Sequence, residues 1–287
     1  MTAAKTHDRE KRIFITGGAS GLGRALAERY AREGWRVCIG DVNELRGLET
    51  LSLLRDLGAE AHFAKCNVTD EVQIQAVAEW LYRNWGGVDV VVNNAGVAIA
   101  GGIDEVPLKD WHWAVDINLL GVVRGCKVFT PMFRAQGHGH FVNVASMAGL
   151  IHAPMMSAYN ATKAAVVALS ETLKVELADA GIGVSVVCPA FFRTNLAESL
   201  RAGNPHVQQM TQKLVGKAEV SADEIAGQVF RAVARGEFHI LTHARERLLW
   251  RLKRLLPFAA YLAILVRGTR RMMAPRAPDA RGSTASS

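Results

Sequence analysis

Short apolar runs alternate along this chain with stretches in which apolar residues recur every three or four positions. The first run, Arg12-Ile13-Phe14-Ile15-Thr16, opens into Gly17-Gly18-Ala19-Ser20-Gly21-Leu22-Gly23 and then a helical pattern from Arg24. Further strands are predicted at Arg36–Asp41, Glu60–Lys65, Val88–Asn93, His140–Ala145 and Gly183–Cys188. Helices are predicted near Asn43–Leu57, Asp70–Trp85 and Trp111–Arg134, and from Ser157 onward. Strands that are apolar nearly throughout, alternating with helices, indicate a parallel sheet covered on both faces. A helix over Val220–Arg235 and a strand at Phe238–Leu241 complete one α/β, doubly wound domain over residues 10–242, with about seven parallel strands. Glu246–Leu256 and Phe258–Met273 then predict an apolar, basic helical extension (243–275), and 276–287 reads as a disordered tail.

Composition changes this picture in one place. The 287-residue chain is 49% hydrophobic, ample for a core, and carries a net charge of +7. Residues 244–287 hold ten Arg and Lys against Glu246 and Asp279, so the body is close to neutral and offers no basic surface for nucleic acid. The longest apolar run, Leu255 to Val266, has twelve residues and contains Pro257. A bilayer span needs about 20. Apolar, Arg-rich helices can instead lie in a membrane interface, fold over a substrate mouth or pack on a partner subunit, and residues 244–273 leave all three open. The polar stretch from Met1 to Arg12 lacks the apolar core of a signal peptide. Cys38, Cys66, Cys126 and Cys188 show no Cys-x-x-Cys spacing and read as buried reduced thiols. The expected location is cytoplasmic, with or without peripheral membrane contact. His138, His140 and His152 have no metal-ligand spacing with carboxylates, so no metal is expected.

The glycine turn is the first candidate chemistry. A strand, a Gly-x-x-x-Gly-x-Gly turn and a helix bring backbone N–H groups and the helix N-terminus up to a dinucleotide pyrophosphate. Asp41 ends the second strand eighteen residues after Gly23. A carboxylate there accepts hydrogen bonds from the adenosine ribose and repels a 2′-phosphate. Ser20 and Val42 supply no cation for such a phosphate, which favours NAD over NADP, although Arg24 lies nearby. The second candidate is Tyr159-Asn-Ala-Thr-Lys163: residues four apart share a helix face, so phenol and ammonium point the same way. Ser146 stands at the end of the preceding strand. Taken singly, each has a duller use: a helix surface, a turn former, or, for Asn118, a side chain that satisfies backbone groups.

These segments together resemble the short-chain dehydrogenase/reductase family. The resemblance rests on Thr16-Gly17-x-x-x-Gly21-x-Gly23, Asn93-Asn94-Ala95-Gly96, Asn118, Ser146, Tyr159-x-x-x-Lys163 and Pro189-x-x-x-x-Thr194, in the family's order, over residues 12–195. It implies a Rossmann-type fold. It also implies that Tyr159 is the acid/base, that Lys163 lowers its pKa and holds the nicotinamide ribose, that Ser146 binds the substrate oxygen, and that Asn118 anchors a water in a proton relay. The cofactor would lie against Gly17, Ser20, Gly21, Leu22, Gly23, Asp41, Asn67, Val68, Asn94, Ala95, Gly96, Pro189, Phe192 and Thr194, besides Tyr159 and Lys163. The family usually has Asp at Asn67 and Gly at Ala190. Its usual interface, through the helices of Asn118 and Tyr159, implies a homodimer or homotetramer.

Ligands of open α/β sheets lie beyond the carboxyl ends of the strands. Three segments meet there: Gly96–Val106, Met147–Met156 and Phe191–Lys217. Met147, Ile151, Met156, Phe191, Leu196 and Leu200 make an apolar wall suited to a bulky hydrophobic secondary alcohol or its ketone. The expected activity is NAD-dependent alcohol oxidation. The alternatives are an NADPH-dependent ketone or ketoacyl reductase, and a non-catalytic nucleotide sensor.

Overall fold

The computed structural model describes residues 11–192, 198–202, 209, 216, 218 and 220–273, with the helix backbone alone for 270–273. Seven strands form one parallel sheet: β1 (Arg12–Thr16), β2 (Arg36–Asp41), β3 (Ala61–Lys65), β4 (Val90–Asn93), β6 (Gly139–Val144), β7 (Ile182–Val187) and β9 (His239–Ile240). Their order across the sheet is β3-β2-β1-β4-β6-β7-β9. β1 pairs with β2 on one side, Ile13 opposite Val37, and with β4 on the other, Ile13 opposite Val90. The chain thus winds outward from β1 in one direction, returns to the centre, and winds out in the other. The switch between β1 and β4 opens the crevice in which such folds bind ligands.

Period-2 alternation divides the core between the two faces. Phe14, Cys38, Val91 and Phe141 pack with Ile74 and Leu81 of α3 (Glu71–Trp85) and with Phe129 and Phe133 of α5 (Gly121–Gln136). Ile13, Ile15, Val37 and Val92 pack with Leu26 and Tyr30 of α1 (Gly21–Arg32) and with Ile225 and Val229 of α8 (Ala222–Ala234). Helix starts follow their caps. The side chain of Asn43 accepts from Arg46 N–H at the head of α2 (Glu44–Asp56), Asp70 caps α3, and Ser221 with Glu224 makes a capping box on α8.

Two expectations need correction. The single helix over Trp111–Arg134 is instead α4 (Leu108–Val115), a π-turn at Asp116–Leu120 and α5. The inserted turn re-aims Asn118, which becomes fully buried. The loops after β4 and near residue 200 also contain a two-stranded parallel sheet, β5 (Ile99–Ala100) with β8 (Arg201–Ala202). All four cysteines are free and buried.

β6 carries a built-in pH sensitivity. The Ser185 hydroxyl donates to Glu237 O, so it accepts from Nε2–H of His140 at 2.8 Å. A Cβ on Gly183 would lie 2.2 Å from Nδ1 of that ring, so only glycine fits opposite it. Burial lowers the His140 pKa to about 4. The unfolded chain, with its histidine near 6.5, then binds more protons than the folded one between those values, and stability falls as the pH drops through that window. The contribution of His140 lost at pH 5 is on the order of 2 kcal/mol. Urea midpoints at pH 7.5 and pH 5 should therefore converge in His140→Gln; an unaltered difference would mean that His140 is not responsible.

Candidate active site

Each edge of the crevice is fixed by hydrogen bonds between the two central loops. Thr16 Oγ1 accepts from the N–H groups of Asn94 and Ala95 (3.0 and 3.1 Å), while Asn94 Nδ2 donates to the carbonyls of Thr16 and Gly17 (2.9 and 3.2 Å). Gly17 and Gly21 have φ of +64° and +54°, where a side chain is strained. A Cβ on Gly23 would lie 2.1 Å from the Gly17 carbonyl oxygen. Ser20 stands at the N-cap of α1 without bonding its amides through its side chain, so the first turn presents N–H groups to the crevice.

The resulting cavity has a volume of about 330 Å³. Its walls include Gly17, Ser20, Gly21, Leu22, Asp41, Asn67, Val68, Asn94, Ala95, Gly96, Tyr159, Lys163, Pro189 and Phe192, the residues read from the sequence. Gly23 lies behind the turn. Thr194 and Leu196 fall outside the described residues. Asp41 is held by Ala19 N–H on Oδ2 (3.0 Å) and by Asn43 N–H on Oδ1 (2.9 Å). A carboxylate has about four acceptor sites, so lone pairs remain for ribose hydroxyls. Arg24 is paired with Glu28 at 2.9 Å and does not line the cavity. Arg46 and Glu198 do, and sequence reading missed both. Arg46 lies five residues past Asp41, a spacing that could have flagged it. Nothing local marks Glu198.

At the other end, α7 (Ser157–Glu176) delivers Tyr159 and Lys163, which are 8% and 3% exposed. Lys163 Nζ lies 5.8 Å from the Tyr159 ring centroid and donates to Val144 O (2.9 Å). Ser146 Oγ lies 3.3 Å from Pro189 O and accepts from Ala148 N–H. Asn118 Oδ1 accepts from Val97 N–H (2.8 Å), and its Nδ2 donates to Val97 O and Thr162 Oγ1. Asn118 thus holds the β4 loop through both polar ends, and its Nδ2 also reaches α7 at Thr162. Gly96 is close enough that a Cβ there would sit 3.1 Å from Asn118 Oδ1 and 3.4 Å from Lys163 Nζ.

Electrostatics differ from the expectation that Lys163 lowers Tyr159. Burial pushes the phenol up to about 12, opposed by a hydrogen bond from Ser146, and pushes Lys163 down to about 8. The chain's own groups therefore favour a protonated tyrosine at pH 7, suited to giving a proton.

Of the apolar residues assigned to the substrate, the five that are described, Met147, Ile151, Met156, Phe191 and Leu200, lie outside this cavity. Met147 and Leu200 are buried in packing, Phe191 is 41% exposed, and Met156 bridges to Gly101. Ile151 closes the short helix α6 (Ala148–Ile151), which the C-terminal helices α9 (Ala244–Leu255) and α10 (Phe258–Met273) hold from outside. Lys253 Nζ donates to Leu150 O and to Nδ1 of His152 (3.0 Å), and the Tyr261 hydroxyl donates to Ile151 O (2.6 Å). His152 and Met155 have φ of +52° and +62°, strained conformations that this buttress helps to hold. α10 also exposes Phe258, Leu262 and Val266, spaced four apart. Among the described residues no group of His, Cys, Asp and Glu could hold a metal, and no helix is long and apolar enough to cross a membrane.

A family model described as short chain dehydrogenase matches residues 11–205. The chain is 34% identical over 253 residues to a CLA biosynthesis dehydrogenase/reductase of Lactiplantibacillus plantarum, covering 82% of this chain and 88% of the relative. It is similar to a short chain dehydrogenase/reductase from Burkholderia phymatum solved in complex with NAD, with a TM-score of 0.82, 33% identity and coverage of 94% and 97%. A short-chain dehydrogenase from Sphingobium yanoikuyae in complex with NADPH matches with a TM-score of 0.71, 27% identity and coverage of 95% and 98%.

Proposed function

This chain belongs to the short-chain dehydrogenase family of NAD(P)-dependent oxidoreductases, and we propose that it uses NAD to interconvert a bulky hydrophobic secondary alcohol and its ketone. Membership makes it an enzyme and sets aside the nucleotide-sensor reading. One observation carries the proposal: a single cavity has Asp41 at one end and the Tyr159–Lys163 pair at the other. The glycine turn and the α1 N-terminus would hold the pyrophosphate, Asp41 the adenosine ribose, and Lys163 the nicotinamide ribose. When bound, NAD would supply the hydride acceptor and a positive charge that favours an ionised phenol. Tyr159 then takes the hydroxyl proton during oxidation and returns it during reduction. Ser146 holds the substrate oxygen, and Asn118 fixes the loop against which both work. The choice of NAD rests on Asp41, whose carboxylate repels a 2′-phosphate.

The apolar Val97 and Ile117, which line the same cavity as Tyr159, support the substrate class. The test is a panel of hydrophobic secondary alcohols with NAD and with NADP, read by the reduced-nicotinamide absorbance. Turnover confined to small polar alcohols would overturn the substrate class, and none with either cofactor would overturn the activity.

Two further parts of the proposal concern partners. The enzyme assembles at least as a dimer through α5 and α7, and a monomer by light scattering would remove that part. The exposed Phe258, Leu262 and Val266 of α10, together with the exposed Arg251, Arg254 and Arg267, rest on anionic membrane surfaces. Phe258→Asp with Leu262→Asp should cut co-sedimentation with anionic vesicles at least about tenfold, since each loses a buried aromatic or aliphatic anchor. Equal sedimentation of the variant and the parent would end the membrane reading.

A further inference from the structure

Arg46 stands in the first turn of α2, at the Asp41 end of the cavity, and its Nη1 lies 2.7 Å from Glu198 Oε2. The two side chains are 41% and 54% exposed. Pairs this open add little to stability, so the consequence of this one lies in what Arg46 is kept from doing.

Glu198 is not brought there by chance motion of a free loop. The segment from 198 to 202 is tied down three residues later, on the far side of the crevice. Arg201 N–H donates to Ala98 O (3.1 Å), its guanidinium pairs with Asp110 at 2.7 Å, and it stacks 3.7 Å from the Trp113 ring centroid. β8 then pairs with β5. The carboxylate is therefore presented to Arg46 by a strap that crosses the cavity mouth.

We infer that Glu198 sets cofactor choice by occupying Arg46, the cation that would otherwise bind a 2′-phosphate beside Asp41. This rests on the NAD reading above and names a second determinant for it, on the opposite wall of the cleft. With Glu198 in place, the three charges of Asp41, Arg46 and Glu198 sum to one negative charge, and one arm of the guanidinium fork, Nη1, is taken. With Gln at 198 the sum is zero and the fork is free for bidentate phosphate binding. A cofactor without the 2′-phosphate has no use for that fork.

Calorimetry with two probes tests this: adenosine 2′,5′-bisphosphate and 5′-AMP, titrated into the full-length protein, Glu198→Gln, and Glu198→Gln with Arg46→Met. The affinity ratio of bisphosphate to AMP should rise about tenfold in Glu198→Gln, a gain of about 1.4 kcal/mol, and the double variant should lose that gain. A rise below about fivefold, or one that persists without Arg46, overturns the inference. NAD and NADP affinities of the parent protein separate the two ideas. A parent that prefers NADP ends the NAD reading, whereas the role of Glu198 is judged only by the change it causes.

Discussion

Tyr159→Phe should lower kcat for alcohol oxidation by about 10³-fold or more, a barrier increase of roughly 4 kcal/mol. The substitution removes one oxygen and leaves the ring, which is only 8% exposed and packed in place. Cofactor affinity should stay within about threefold, less than 1 kcal/mol, because the phenol is not needed to hold the pyrophosphate or the adenosine ribose. The pH profile gives a second readout. Oxidation needs the deprotonated phenol, so the parent rate should climb as the pH rises toward the phenol's pKa in the complex. A phenyl ring cannot titrate, so the variant should lose that limb. Steady-state rates from pH 6 to 10 would show it, and a variant that keeps both the rate and the limb would remove Tyr159 from the chemistry.

Gly23→Ala should weaken NAD binding by about 100-fold, near 3 kcal/mol. The added Cβ would lie 2.1 Å from Gly17 O and 2.6 Å from Asn94 Nδ2. Both belong to the bonds that tie the glycine turn to the β4 loop, so relief of the clash opens the pyrophosphate cradle itself. Overpacking of this kind costs about 1–3 kcal/mol of stability, and Tm should drop by several degrees. Gly268→Ala is the control. Nothing lies within 4 Å of a Cβ there, on the exposed side of α10, and alanine is the better helix former by about 1 kcal/mol. Thermal melts and NAD titrations on the two variants check this; equal NAD affinity in Gly23→Ala and the parent would show that the turn tolerates a side chain.

The parts of this molecule legible in its sequence are those that local chemistry decides. Arg12–Thr16 and Arg36–Asp41 are strands residue for residue, because uninterrupted apolar runs bounded by glycine and charge have few other uses. Asn43 and Asp70 marked their helix starts because a side-chain acceptor is needed there. The four-residue spacing placed Tyr159 and Lys163 on one cavity wall. What escaped depends on partners far apart in the chain. The π-turn at Asp116–Leu120 adds no compositional mark; it carries Asn118, whose two bonds with Val97 join it to a loop distant in the chain. The Arg46–Glu198 pair spans 152 positions. The ionisation of Tyr159 escaped for another reason. Sequence shows which charges are neighbours but not how much water each loses, and here desolvation of the phenol outweighs its hydrogen bond with Ser146.

Isotope transfer tests the central claim most directly. A hydrophobic secondary alcohol deuterated at its carbinol carbon, incubated with the enzyme and NAD, should yield reduced cofactor carrying one deuterium by mass spectrometry, and Tyr159→Phe should yield almost none. Reduced cofactor without the label, or equal labelling by the Tyr159→Phe variant, would contradict the account.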